Sequence, residues 1–219
     1  MTKGNTISKT DILSLYMDFV TENKTKPIDI PDFCQRVNLE ETDFYTHFKS
    51  LKKVEKAIFK ELLTNSLEVL SESEEFTSFD KKNKLISFYF TFFENLTLNR
   101  AYILIVLKGC KNQFKSFDTF SSLKKNFLIF VDNLDLSESI LPIDSLEKIQ
   151  RKLINESAWI QLFLTIQFWL EDTSDSFEKT DILIEKSINT SFELIENKFL
   201  KNAFDLGKFV YTEKIQTKF

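Results

Sequence analysis

Asp29-Ile-Pro-Asp-Phe-Cys-Gln-Arg-Val-Asn-Leu39 and, shortly after it, Phe44-Tyr-Thr-His-Phe-Lys-Ser50 are the stretches whose reading decides the fold. Asp29 is a helix cap, and Pro31 stands in the first turn, where its missing N–H costs nothing. A short helix is therefore expected from Ile30 to Val37. Asn38 readily takes the left-handed conformation of a tight turn, and a second short helix follows from Glu41 to Phe48.

Upstream, Ile12, Leu13, Tyr16, Phe19 and Val20 form one apolar stripe at helical spacing. They predict a helix from Asp11 to Glu22, capped by Thr10 and broken by Asn23-Lys-Thr-Lys-Pro27. Downstream, a long helix from Leu51 to Leu70 presents Val54, Ile58, Leu62 and Val69 to a core. Ser71-Glu-Ser-Glu-Glu75 reads as a solvated loop. Lys81 to Leu98 is apolar nearly all round, through Leu85, Ile86, Phe88, Tyr89, Phe90, Phe92 and Phe93, and should be a central helix. Helices are then expected over Arg100–Lys111, Phe117–Leu134, Ser145–Leu170 and Ser176–Phe199. Asp135 to Asp144, with Pro142, is the main loop, and Asp175 with Glu178 forms a capping-box-like start for the last helix.

The composition agrees with an all-α chain. Among 219 residues there are only three glycines and three prolines, too few for the many tight turns of a large β-protein. Hydrophobic residues at 42% and charged residues at 28% are ordinary for a folded chain that buries a real core. Phe is abundant, with 24 against five Tyr and two Trp, which fits either a Phe-lined cavity or a residue bias shared with Lys, Ile and Asn. The net charge of -4 gives no global basic field, and Arg36, Arg100 and Arg151 are the only arginines. Cys34 and Cys110 stand far apart and form no zinc or redox motif. Met1-Thr-Lys-Gly-Asn5 lacks the apolar core of a signal peptide, and uncharged Ser157–Leu170 is too short to span a membrane. A cytoplasmic location is expected, so the glycosylation triplets at Asn95, Asn155 and Asn189 are incidental.

Helix, break, short helix, turn, short helix and long helix within seventy residues resembles the DNA-binding layout of the TetR family. Asn38 and Leu39 match the turn residue and the aliphatic one that end the family's first segment. Tyr45, His47, Phe48 and Ser50 match its aromatic-x-His-Phe-x-Ser pattern. The match covers the first quarter of the chain. It implies an all-α, TetR-like fold of about nine helices. A three-helix helix-turn-helix head over residues 1–50 would precede a larger ligand-binding and dimerisation bundle over residues 51–219. A second stretch, Trp169-Leu-Glu-Asp-Thr-Ser174 with Phe177-Glu-Lys-Thr180, resembles a segment of the lipid-binding accessory protein of ubiquinone biosynthesis, which has a TetR-like fold. The same polar residues are those a helix-helix corner uses.

DNA binding by such a head needs donors for base edges and cations for phosphate. Thr42, Tyr45, Thr46, His47, Lys49, Lys52 and Lys53 are the candidates. Against them, Asp29, Asp32, Glu40, Glu41 and Asp43 face Arg36 alone, and carboxylates repel phosphate. Those near a helix start also favour its dipole. Leu51 stands where the family places a lysine, although Lys49, Lys52, Lys53 and Lys56 surround it.

Nothing asks for an enzyme: there is no phosphate loop, nucleophile elbow or metal pattern, and no cofactor is expected. What the resemblance implies for the body is an apolar pocket lined by Phe88, Tyr89, Phe92, Phe93, Ile103, Leu107, Phe127, Phe130, Trp159 and Phe163, suited to an acyl chain, an isoprenoid or an aromatic compound. Leu162, Ile166, Trp169, Leu183, Ile184, Ile188, Phe192 and Ile195 on the last two helices are expected to form a two-fold dimer interface. The leading reading is a ligand-responsive transcriptional regulator. The alternative is a TetR-fold lipid carrier or scaffold that no longer binds DNA. The partners expected are a second copy of the chain, an apolar small molecule or lipid, and DNA, with the acidic head arguing against the last.

Overall fold

A computed structural model describes residues 7–107, 118–136 and 144–196, with Leu206, Gly207, Phe209 and Glu213 beyond them. Ten α-helices are described: α1 (Lys9–Asn23), α2 (Ile30–Arg36), α3 (Glu41–His47), α4 (Leu51–Ser71), α5 (Glu74–Ser78), α6 (Lys81–Leu98), α7 (Arg100–Leu107), α8 (Ser121–Leu134), α9 (Asp144–Glu171) and α10 (Glu178–Glu196). No strand occurs among the described residues. The chain is all-α, as its few glycines and prolines predict.

Local chemistry accounts for most boundaries. Asp29 caps α2 by accepting from the Asp32 N–H at 2.8 Å, and Asn38 turns the chain with φ 53°. At α1 the expected cap is displaced. Ser8, not Thr10, accepts from the Asp11 N–H, and Asp11 Oδ2 accepts from the Ser8 N–H at 2.8 Å in a reciprocal capping box. Two further differences concern α4 and its exit. Val69 is 61% exposed, and Leu70 is the buried residue there. The Ser71–Glu75 stretch ends α4 and starts the unexpected α5, whose Glu74 and Glu75 favour the positive end of its dipole. The ends expected at Lys111 and Phe199, the start expected at Phe117, Cys110, and the loop proline Pro142 lie outside the described residues.

The last corner differs most from expectation. Ser176 and Phe177 have φ 51° and 62°, so no helix starts at Ser176. Asp172, 6% exposed, organises this turn. Its carboxylate accepts from the Ser174 N–H and Oγ at 2.9 and 2.6 Å, and from the Thr180 N–H and Oγ1 at 2.9 and 2.6 Å. The Trp169–Thr180 segment is thus a helix-helix corner, with the Trp169 ring 6.1 Å from Phe177.

The chain divides into two compact units, one of Met1–Ser73 with Thr91–Phe127 and one of Glu74–Phe90 with Leu128–Phe219. Residue 50 marks the end of a motif; packing groups the head with later helices. In the first unit α1 lies against α4 and α7. Tyr16, Phe33, Val54, Ile58, Phe59, Ile103 and Phe120 are almost fully buried there. In the second unit α10 runs back along α9, joined by Gln161 Nε2 donating to Ser187 Oγ at 3.0 Å. Asn155 Nδ2 donates to Asp132 Oδ1 at 2.9 Å in the same unit.

Candidate functional site

The head is built around one aromatic ring. Phe33 of α2 meets Tyr16 at 5.5 Å, Phe19 at 5.9 Å and Phe44 at 6.0 Å, each edge to face. Phe44 and Phe48, both buried, pin the inner side of α3. Helical spacing then turns Thr42, Tyr45, Thr46 and His47 outward, and all four are exposed. Two of them are already engaged: Thr46 Oγ1 donates to the Asp43 carbonyl at 2.6 Å, and His47 Nε2 lies 2.9 Å from the Ile7 carbonyl. The ring of His47 therefore also anchors the approach to α1.

Charge is unevenly spread over this surface. Glu40, Glu41 and Asp43 are exposed at the start of α3. Burial, then the charges of Glu41 and Glu40, push the Cys34 thiol up to about 11, so the cysteine is a packed, inert residue. Lys49 and Lys53 are exposed. Lys52 is exposed too, but its ammonium is paired with Asp118, as is that of Lys56. No local sequence signal points to this pairing, because Asp118 is over sixty residues away from both lysines.

A buried polar node lies behind the head. Glu55 accepts from the Tyr16 hydroxyl at 2.9 Å and pairs with Lys26 at 2.8 Å. Its one available signal was a carboxylate next to Val54 and three residues before Ile58, on the core side of α4.

The ten aromatic and aliphatic residues expected to line a pocket are all buried. Phe92, Phe93, Ile103, Leu107 and Phe127 belong to the first unit; Phe88, Tyr89, Phe130, Trp159 and Phe163 belong to the second. Within the second, the Phe88 ring packs on Phe130 at 4.7 Å and on Tyr89 at 5.9 Å. None of the ten lines the large apolar groove of the second unit. That groove encloses about 660 Å³ along α9 and α10, with Leu153, Ile160, Leu164, Leu183, Leu194 and Ile195 in its walls. Through Leu136, Phe192 and Ile195 it adjoins a polar cleft lined by Asp80, Lys81, Lys82, Asn189 and Glu193.

The residues expected at a dimer face divide into two sets. Leu162, Ile166, Trp169, Ile184 and Ile188 are buried within the protomer, so their surface is not available to a partner. Leu183, Phe192 and Ile195 do line the groove. Among the groove's apolar side chains, Leu153, Ile160, Leu164 and Leu194 stay about half exposed, with Ile160 and Leu164 at 53% and 57%. Helix α9 carries apolar residues on two faces, and the inner one is taken by the unit's own core.

Among the described residues no group of three His, Cys, Asp or Glu side chains is placed to hold a metal. Among the described residues no helix is long and apolar enough to cross a membrane. A family model described as tetracyclin repressor-like, C-terminal domain, matches residues 84–210, more than half of the chain. No match was found among curated proteins.

Proposed function

Because the chain belongs to the tetracyclin repressor-like (TetR) family, we propose that it is a transcriptional regulator whose head reads DNA with the outward face of α3. The observation that carries this reading is the presentation of Thr42, Tyr45, Thr46 and His47 by a rigid aromatic core formed by Phe33, Phe44 and Phe48. A short helix held in this way enters a major groove with hydroxyl, phenol and imidazole groups that bond base edges and phosphates. Lys49 and Lys53 supply phosphate contacts beside it. With Glu40, Glu41 and Asp43 at the same end, affinity is modest and depends on two heads acting together. We further propose that the second copy seats on the open groove of α9 and α10, where the exposed Ile160 and Leu164 need cover.

The acidic start of α3 also favours a second reading, in which the head meets a protein partner and the apolar groove takes a lipid chain. One experiment separates the two. Fluorescence anisotropy of the purified protein with its own upstream duplex, over a salt series from low salt, should show binding that weakens with salt and survives a scrambled competitor. Lack of binding even at low salt would retire the regulator and direct attention to lipid that co-purifies with the protein.

A further inference from the structure

Two lysines of α4 converge on one carboxylate. Lys56 Nζ lies 2.6 Å from Asp118 Oδ1, and Lys52 Nζ, one turn earlier, meets Oδ2. The position of Asp118 is set by packing. Two residues on, Phe120 is fully buried with its ring edge-on to Phe59 at 4.8 Å, and Thr119 between them is buried as well. Phe59 follows Lys56 by three residues, so the aromatic hook and the carboxylate grip the same stretch of α4. Ser121 Oγ donates to the Asp118 carbonyl at 2.7 Å and steadies the backbone there. The hydrogen bonds from Lys52 and Lys56 hold the Asp118 carboxyl below its ordinary range, which keeps the charge that both lysines face.

Two ammonium groups one turn apart on a single oxyanion is also the arrangement that receives a DNA phosphate. We propose that Asp118 takes that place in cis: it is an autoinhibitory contact that competes with phosphate for Lys52 and Lys56. The inference rests on the DNA-binding reading above. Lys52 and Asp118 remain 64% and 45% exposed, so the contact exchanges readily for another anion. While it holds, Lys49 and Lys53 carry the phosphate contacts of the head; once it opens, four lysines do. The body of the protein thereby controls affinity through charge, with no change required in α3 itself.

Asp118→Asn keeps the size of the side chain and removes its charge. Anisotropy of the full chain and this variant would be compared on the upstream duplex and on a random duplex, over one salt series. The variant should bind both about threefold or more tightly at low salt, with a salt slope steeper by about two per protomer. Adding Lys52→Gln and Lys56→Gln should cancel the gain, whereas in the wild type the same pair should change little. Equal affinity of wild type and variant, with the wild type binding, would overturn the clamp and leave the DNA-binding reading standing. No binding by any of them at low salt would overturn both. If Asp118→Asn fails to fold by circular dichroism, the Lys52→Gln/Lys56→Gln protein decides. Unchanged affinity supports the clamp, and a tenfold loss shows that the lysines already hold phosphate and overturns it.

Discussion

The hydroxyl of Tyr16 in α1 donates to the Glu55 carboxylate of α4 at 2.9 Å, in a core where Glu55 is only 6% exposed. Lys26, just beyond α1, closes on the same oxygen at 2.8 Å. A carboxylate at that depth is tolerable only with such partners. The node therefore sets the position of the head's first helix on the long helix that follows it.

Removing the carboxylate should loosen that seat. Glu55→Ala leaves the Tyr16 hydroxyl buried without an acceptor, at a cost of roughly 1–3 kcal/mol. Lys26 is 39% exposed and rehydrates, so its share is small. Glu55→Gln still accepts from Tyr16 and should cost less, about 1 kcal/mol. Urea unfolding followed by circular dichroism measures both. Equal midpoints for Glu55→Ala and wild type would show that the node contributes nothing.

Alkali should unfold the protein through its phenols. Burial, and for Tyr16 and Tyr102 the neighbouring Glu55 as well, raises Tyr16, Tyr89 and Tyr102 far above their ordinary value of 10. Above pH 10 the unfolded chain releases these protons while the folded chain keeps them. Stability is therefore intact below pH 10 and falls as pH rises beyond it, by up to about 4 kcal/mol per unit for three groups. The Tyr102 hydroxyl finds no hydrogen-bond partner among the described residues. Tyr102→Phe should thus be neutral or stabilising by up to about 1 kcal/mol at pH 7 and should lessen the alkaline slope by one proton. A clear loss of stability at pH 7 would count against this account.

Much of the head could be read from sequence because its signals are local. Asp29, Pro31 and Asn38 each act on their own turn, and Phe44 and Phe48 fall on one side of α3 by spacing alone. Which apolar residues of α9 stay exposed is not legible for a related reason. In α9, Leu162 and Ile166 lie on one apolar stripe and Ile160 and Leu164 on another, and periodicity cannot say which stripe the chain covers for itself. Asp118 over Lys52 and Lys56 was beyond reach, since only the fold brings an exposed aspartate to lysines so distant in sequence. The polar residues of Trp169–Thr180 read correctly as a corner, but the capping role falls to Asp172 and not to Asp175.

That corner should fail in acid. Burial opposes ionisation of Asp172, but hydrogen bonds from Ser174 and Thr180 outweigh it and hold the carboxyl well below the usual range. The unfolded carboxyl takes up its proton near pH 4, whereas the folded one resists. Its contribution is therefore present above that pH and is lost as pH falls below it. Asp172→Asn cannot accept from all four donors and should cost about 1–3 kcal/mol at pH 7. The variant should also show a flatter acid limb between about pH 4 and 2. Thermal melts across that range test it, and an unchanged acid limb would remove Asp172 from the account.

Charges placed on the two stripes of α9 should have opposite consequences. Leu164 is 57% exposed in the protomer, whereas Leu162 is fully buried. Leu164→Glu, beside Ile160 in the groove wall, places a charge where a second copy would sit and leaves the protomer core intact. Light scattering at micromolar concentration should report a dimer for the wild type and a monomer for Leu164→Glu, with helical circular dichroism unchanged. Leu162→Glu puts an unpaired carboxylate into the core and should abolish the cooperative melt. The proposed regulator would read half-sites with two linked heads, so the monomeric variant should also lose salt-sensitive binding to the upstream duplex while staying folded. A dimer that survives Leu164→Glu would move the interface away from this groove, and the groove would then be open to a lipid chain.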